Sequence, residues 1–343
     1  MAIPKQPSTT LLLLALATLS FTTTSNAADC SGAGAISVYW GQRPSSQDES
    51  TLQSACETGN YNIVILESLI VYDNGTTPAL NLADHCGSST NPCTKLQPEI
   101  EYCQQNDIKV ILSIGQDQDR PPTLKTGNRH YRSAEAAQEL ATYLLENFLS
   151  GKAGPLGNVS LDGIDISDVA DGDNLKWDEV VTAINASTTA RKIYLSASPQ
   201  CVYPDYYLGK AIETGLFDYI WVEFFFQNPC IYANNNASSL LTAWNTWIKN
   251  VPSSSIFLGL AASEDVVGYV APEVVVSEIL PSVKLASNYG GVMIWDRYSD
   301  EQGDYSTKIK DSVGKACRCV CDGDAFAFAS KSFYGLGSKS LPL

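Results

Sequence analysis

Eight short apolar runs, set apart by longer amphipathic or polar stretches, constrain the fold of this 343-residue chain more than any other feature. They are Ile36–Trp40, Ile63–Leu66, Val110–Ile114, Gly163–Ile166, Ile193–Ala197, Tyr219–Phe224, Ile256–Gly259 and Gly291–Trp295. Each holds four to six residues, mostly Val, Ile, Leu or aromatic. That is the composition of strands buried on both faces in a parallel sheet. Their starts lie between 26 residues (Ile193 to Tyr219) and 53 residues (Val110 to Gly163) apart. A parallel connection needs a dozen or more residues, usually a helix, so every gap is long enough. Helical signals fill several gaps. Ser133 can cap a helix whose apolar face is Ala137, Leu140, Ala141, Leu144 and Phe148. Trp177–Ile184 and Leu240–Ile248 read as helices, and Pro272-Glu273 opens another. Eight strands alternating with helices predict one α/β domain, a (β/α)8 TIM barrel over residues 28–314.

The ends of the chain read differently. Lys5, the apolar run Leu11–Leu19 and the small-x-small ending Ser25-Asn26-Ala27 predict a secretory signal peptide over residues 1–27. The run is too short to span a bilayer, and no 18-residue apolar stretch follows it. A secreted, extracellular protein with no membrane partner is expected, and ten cysteines suit an oxidising compartment. Residues 315–343 form a tail that begins with Cys317, Cys319 and Cys321. It reads either as a vacuolar sorting segment or as a loose end. Sequons at Asn74, Asn158, Asn185 and Asn236 are candidate glycan acceptors. A net charge of −15 disfavours nucleic acid as a partner. Only two histidines exist, His85 and His130, which weakens a zinc site or a Ser-His-Asp triad. No metal or cofactor is assigned.

In such a barrel, functional side chains sit at the C-terminal strand ends. Those ends offer Tyr39-Trp40, Glu67, the acidic series Asp162, Asp165, Asp168 and Asp171, then Glu223 and Trp295-Asp296. Aromatic rings stack on sugar faces and carboxylates accept hydroxyl hydrogen bonds, so carbohydrate recognition is expected. The alternative is that the rings are barrel core and the acids are solvated. If Glu67, Asp162, Asp165, Asp168 and Glu223 converge on one mouth, they must share protons, pair with bases or hold a cation.

The segments Ala35–Gln42 (AISVYWGQ), Leu82–Cys86 (LADHC), Leu161–Ile166 (LDGIDI), Ser196–Asp205 (SASPQCVYPD), Gly215–Val222 (GLFDYIWV) and Tyr289–Trp295 (YGGVMIW) together resemble plant class III chitinases of glycoside hydrolase family 18. The resemblance spans about Ala35 to Val313. It implies a (β/α)8 barrel and cleavage of β-1,4-linked N-acetylglucosamine polymers by a substrate-assisted route, an exception to the usual two-carboxylate scheme. In the family a glutamate closing D-G-x-D-x-D-x-E is the general acid. The aspartate before it orients the acetamide, and a tyrosine on the sixth strand hydrogen-bonds it. The resemblance further implies disulfides Cys56–Cys103, Cys86–Cys93 and Cys201–Cys230. Cys30, Cys317, Cys319 and Cys321 are extra.

Carried over residue by residue, the catalytic pattern is broken. It starts with Asp162, Gly163 and Asp165. One inserted residue near Ile166-Ser167 leaves Asp168 as the orienting aspartate and puts Ala170 at the acid position. Without that gap, Ser167 and Val169 take those places. Neither alignment supplies a glutamate before Glu179. Phe225 falls at the tyrosine, Glu223 at the glutamine before it, Glu67-Ser68 in the turn after the second run, and Gly115-Gln116-Asp117 in the turn after the third. Tyr39, Gln200, Tyr203 and Trp295 are retained, so with Glu223 they are the candidate sugar-binding residues. The catalytic positions are expected to be vestigial. The reading is a chitinase-like protein without chitinase activity that binds N-acetylglucosamine oligosaccharides as a lectin or defence protein. An inhibitor of a foreign glycosidase such as xylanase, a residually active chitinase and an acidic storage or cation-binding protein are the alternatives.

Overall fold

The computed structural model describes residues 34–43, 49–71, 77–88, 90–116, 133–167, 176–187, 191–226 and 229–314. The expected signal peptide, the tail, the four extra cysteines, Asn74, Asp168 and Ala170 lie outside them. Parallel strands run β1 (Ala35–Trp40), β2 (Ile63–Val71), then, after the short β3 (Ala79–Leu80), β4 (Lys109–Gln116), β5 (Gly163–Ile166), β6 (Tyr194–Ala197), β7 (Tyr219–Glu223), β8 (Ser255–Ala261) and β9 (Tyr289–Trp295). Each parallel strand pairs with the next, and β1 pairs with both β2 and β9. The sheet therefore closes into an eight-stranded barrel with helices between strands, as the run pattern predicted.

Two details differ from the sequence reading. β2 does not stop at Leu66. A register shift between Leu66 and Leu69 absorbs the polar pair Glu67-Ser68, and the strand continues to Val71. There it pairs with β4 on one side and antiparallel β3 on the other. A bulge bends the strand and re-aims its side chains, which is why a polar interruption did not end it. The helix capped by Ser133 runs Ala134–Leu144 and then widens into a π-turn, Leu145–Leu149. Its cap is the Ser133 hydroxyl, which accepts from Ala136 N at 3.2 Å.

Alternation along the strands divides two cores. Val38, Trp40, Val64, Leu66, Val110, Leu112, Ile164 and Ile166 face the helices. Tyr39, Ile63, Ile65, Ile111, Trp221, Phe257 and Met293 fill the barrel interior. Trp40 thus belongs to the outer layer, where its ring lies 4.4 Å from His85 and its Nε1 donates to Ser50 O at 2.8 Å. Gly163 opens β5 because a Cβ there would collide with the Tyr194 carbonyl of the paired strand. The three disulfides implied by the resemblance are formed, with Cα–Cα distances of 5.5 Å for Cys56–Cys103, 4.8 Å for Cys86–Cys93 and 6.0 Å for Cys201–Cys230. Among the described residues no helix is long and apolar enough to cross a membrane.

Candidate active site

The acids of the fourth barrel strand separate to its two ends. Asp162 precedes β5, at the N-terminal end of the barrel. Its carboxylate accepts from Arg191 Nη2 at 2.6 Å, Gln104 Nε2 at 2.8 Å and Val110 N at 2.9 Å. The expectation that Asp162 joins the other acids at one mouth is therefore corrected: it ties β4, β5 and the segment before β6 together at the opposite end. Charge-assisted hydrogen bonds contribute about 1.5–3 kcal/mol each. Asp162→Ala is expected to lower unfolding stability by about 2 kcal/mol while leaving sugar binding unchanged; parallel denaturation and titration curves check both.

Asp165 points into the barrel and is fully buried. Its Oδ2 accepts from Tyr39 Oη at 2.8 Å and Ser113 Oγ at 3.0 Å. Its Oδ1 accepts from Ser196 Oγ at 2.7 Å and Trp221 Nε1 at 3.0 Å. Four strands, β1, β4, β6 and β7, thus each send one donor to a carboxylate on β5. Burial pushes the Asp165 carboxyl above its ordinary range, and the four donors act in the opposite sense. The Tyr39 hydroxyl also meets Ser198 Oγ. Burial, then the charges of Asp165, Glu67 and Glu223, push Tyr39 well above the ordinary tyrosine range. Tyr39 is therefore a fixed hydrogen-bond donor at neutral pH, not a base. Glu67 lies in the bulge of β2 and Glu223 ends β7, both toward the C-terminal end of the barrel.

The aromatic half of the mouth lies after β7 and β9. Phe225, 1% exposed, stacks on Trp295 with ring centroids 5.8 Å apart and 17° between planes. Phe226 stands edge-on to the same indole at 5.1 Å and is 46% exposed. After β1, Glu49 accepts from Gly41 N at 3.3 Å, Arg43 N at 3.1 Å and the His85 ring at 3.0 Å, which fixes the chain leaving that strand. Arg43 in turn lies 3.5 Å from Asp296.

The structure brings together Tyr39, Asp165, Phe225 and Trp295 with Glu223, and sets Gln200 beside Glu223. Gln200 is exposed, its backbone bridged to Glu223 and its N–H held by Asp205 Oδ2 at 2.9 Å. Tyr203 packs edge-on to Trp247 at 4.9 Å, against the helix Ser238–Asn250. Ser113, Ser196, Ser198 and Trp221, which shape the charge of the site, were missed. The available signal was a serine interrupting an apolar parallel strand in LSIG and LSAS.

Residues 35–267 match the family model Glycosyl hydrolases family 18. The chain belongs to this family. An acidic endochitinase of Cicer arietinum is 45% identical over 288 residues, 82% of this chain and 93% of that protein. The tamarind chitinase-like lectin shares 50% identity, with a TM-score of 0.71 over 81% of this chain and 99% of that one. The xylanase and alpha-amylase inhibitor protein from Scadoxus multiflorus shares 35% identity, with a TM-score of 0.71 over 81% and 98%. Tyr39, Glu67, Glu223 and Trp295 lie at or near the C-terminal ends of β1, β2, β7 and β9 of this barrel. The family scaffold thus carries hydrolase, lectin and inhibitor names on chains similar to this one.

Proposed function

We propose that this chain is a secreted, chitinase-like protein that binds N-acetylglucosamine oligosaccharides and does not cleave them. The observation that carries the reading is Phe225. Its ring sits buried on Trp295 at the position that the chitinase pattern gives to a tyrosine. A phenyl ring has no hydroxyl with which to hold the acetamide that would attack the anomeric carbon. A second, independent support lies in the chain itself: no glutamate occurs between Leu161 and Asp178. A positioned general acid supplies about 10²–10⁴ in rate, and the groups around the gap do not replace it. Asp165 is saturated by four donors inside the barrel. Glu223 sits at the mouth on another strand, and about 1 Å of misplacement costs roughly 10²-fold.

Sugar binding is supported by what remains. Trp295 offers a half-buried indole, Phe226 an exposed ring, and Tyr39 a locked hydroxyl network. Purified protein is expected to leave chitotetraose uncut and to bind it in a calorimetric titration. Trp295→Ala is expected to weaken that binding by about tenfold or more, since a stacked aromatic contact contributes 0.5–1.5 kcal/mol beyond its buried area. Turnover of chitotetraose at rates ordinary for an enzyme would sink the reading. The likeness to the Scadoxus inhibitor supports a second role, binding a foreign glycosidase, which a xylanase and amylase inhibition assay with the same preparation separates from sugar binding.

A further inference from the structure

A second hollow lies away from the mouth, between the turn leaving β6 and the helix Ser238–Asn250. Its volume is about 390 Å³, and it opens broadly to solvent, so it would cover one face of a ring. One wall is apolar: the Cys201–Cys230 disulfide, Pro229, Val202, which is 45% exposed, and the Tyr203 ring. The other is a ladder of hydroxyls on one helix face, Ser238, Ser239, Thr242 and Thr246. None of these residues belongs to the Tyr39–Asp165–Trp295 site.

The two walls are held rigidly. Trp247 Nε1 donates to Cys201 O at 2.9 Å, and Tyr203 packs edge-on to the same indole. Thr242 Oγ1 donates to Ser238 O at 2.7 Å and Thr246 Oγ1 to Thr242 O at 3.0 Å. Each threonine has spent its proton on the helix, so toward a ligand its oxygen can only accept. An apolar wall opposite a row of acceptors is the lining that a pyranose ring fits, with C–H groups on one face and hydroxyl donors around its edge.

We propose that this hollow seats one N-acetylhexosamine ring. Two sources of that ring are available. One is a free chito-oligosaccharide. The other is the chain's own sequon, Asn236-Ala237-Ser238, whose serine is part of the hydroxyl wall. Asn234 and Asn235, both at positive φ (53° and 54°), form a two-residue turn closed by Asn236 N donating to Ala233 O at 3.0 Å. Asn236 is exposed, and its Oδ1 accepts from Ser238 N at 2.7 Å, capping the helix. The cap uses the amide oxygen and leaves the nitrogen as the acceptor atom. In the transfer, an N–C bond forms between Asn236 Nδ2 and C1 of an N-acetylglucosamine carried on a lipid pyrophosphate. The C1–O bond to phosphate breaks, the lipid pyrophosphate leaves, and the amide gives up one proton.

Hydrogen exchange read by mass spectrometry tests the seat separately from the mouth. The full chain is made in a eukaryotic secretory host, beside Asn236→Asp, which keeps the capping oxygen and removes the acceptor nitrogen. If the chain's own glycan fills the hollow, exchange across Cys201–Tyr203 and Ser238–Thr246 is severalfold slower in the glycosylated protein than in Asn236→Asp. If a free sugar fills it, saturating chitobiose produces that slowing in Asn236→Asp. Thr242→Trp, an exposed position whose indole fills the hollow, then abolishes the protection, as does the smaller change Thr242→Val in part, whereas Trp295→Ala leaves it intact. Unchanged exchange in these segments in both arms overturns the proposal, whatever the mouth binds.

Discussion

Asp165→Ala is expected to destabilise the barrel by about 4 kcal/mol, a fall in melting temperature of about 10 °C or more. The substitution leaves Ser113, Ser196 and Trp221 with donors aimed at nothing inside the buried interior, and Tyr39 with Ser198 Oγ as its remaining partner. Each orphaned buried donor costs about 1–3 kcal/mol, and 1 kcal/mol moves the midpoint of a domain of 150–250 residues by about 2–4 °C. Asp165→Asn should cost far less. Its amide oxygen still accepts from two partners, and the hydroxyls of Tyr39 or Ser113 can turn to accept from its nitrogen. The same pair of variants reports on charge. Burial holds the folded carboxyl above its ordinary range. The folded state therefore binds a proton that the unfolded chain releases. Stability from this group is full below the ordinary carboxylate range and is lost as pH rises through the raised value. Asp165→Asn removes that slope. Melting curves from pH 3 to 8 check it: a wild-type curve parallel to that of Asp165→Asn would rule out the raised carboxyl.

The barrel was legible because it is written in a repeated signal. Eight runs with helix-length gaps leave few other closed arrangements, and each strand had to be recognised only as a run. The site was less legible for a geometric reason. Asp162 and Asp165 look alike in the string LDGID, yet at about 3.3 Å of rise per residue they are about 10 Å apart along the strand. One ties the far end of the barrel and the other charges its interior. Only register, set by neighbours 52 and 126 residues away in sequence, tells them apart. Tyr203 was assigned to the sugar cleft by resemblance, and its packing was not legible: the turn after β6 sets it edge-on to Trp247, whose place depends on the helix Ser238–Asn250. Phe225 was readable in both respects. A missing hydroxyl is visible in the sequence, and the ring stacks on Trp295 across β8 within the same interior cluster.

Restoring the acid and the hydroxyl together is expected to raise chitotetraose cleavage well above that of the wild type, which the proposed function puts at background. Ala170→Glu supplies a group with the reach of the family's general acid, and Phe225→Tyr returns a hydroxyl to the ring stacked on Trp295. A general acid alone is worth about 10²–10⁴ in rate. Groups that act as one unit are far from additive, so each single variant should fall well short of the pair. The pair also decides between the two registers of the broken motif. With one inserted residue near Ser167, Glu at 170 follows the orienting Asp168 by two positions, as the pattern D-x-E demands. Without the insertion, the acid belongs at 169, and the orienting position is Ser167, which is buried and closes β5 by donating from its N to Ile114 O at 3.0 Å. Ser167→Asp with Val169→Glu, again in the Phe225→Tyr background, is the matching test. The two designs shift both carboxylates by one residue, so activity in one and not in the other assigns the register. Product formation by the first and not the second fixes the insertion. Wild-type turnover equal to that of either design would show that the strand never lost its chemistry.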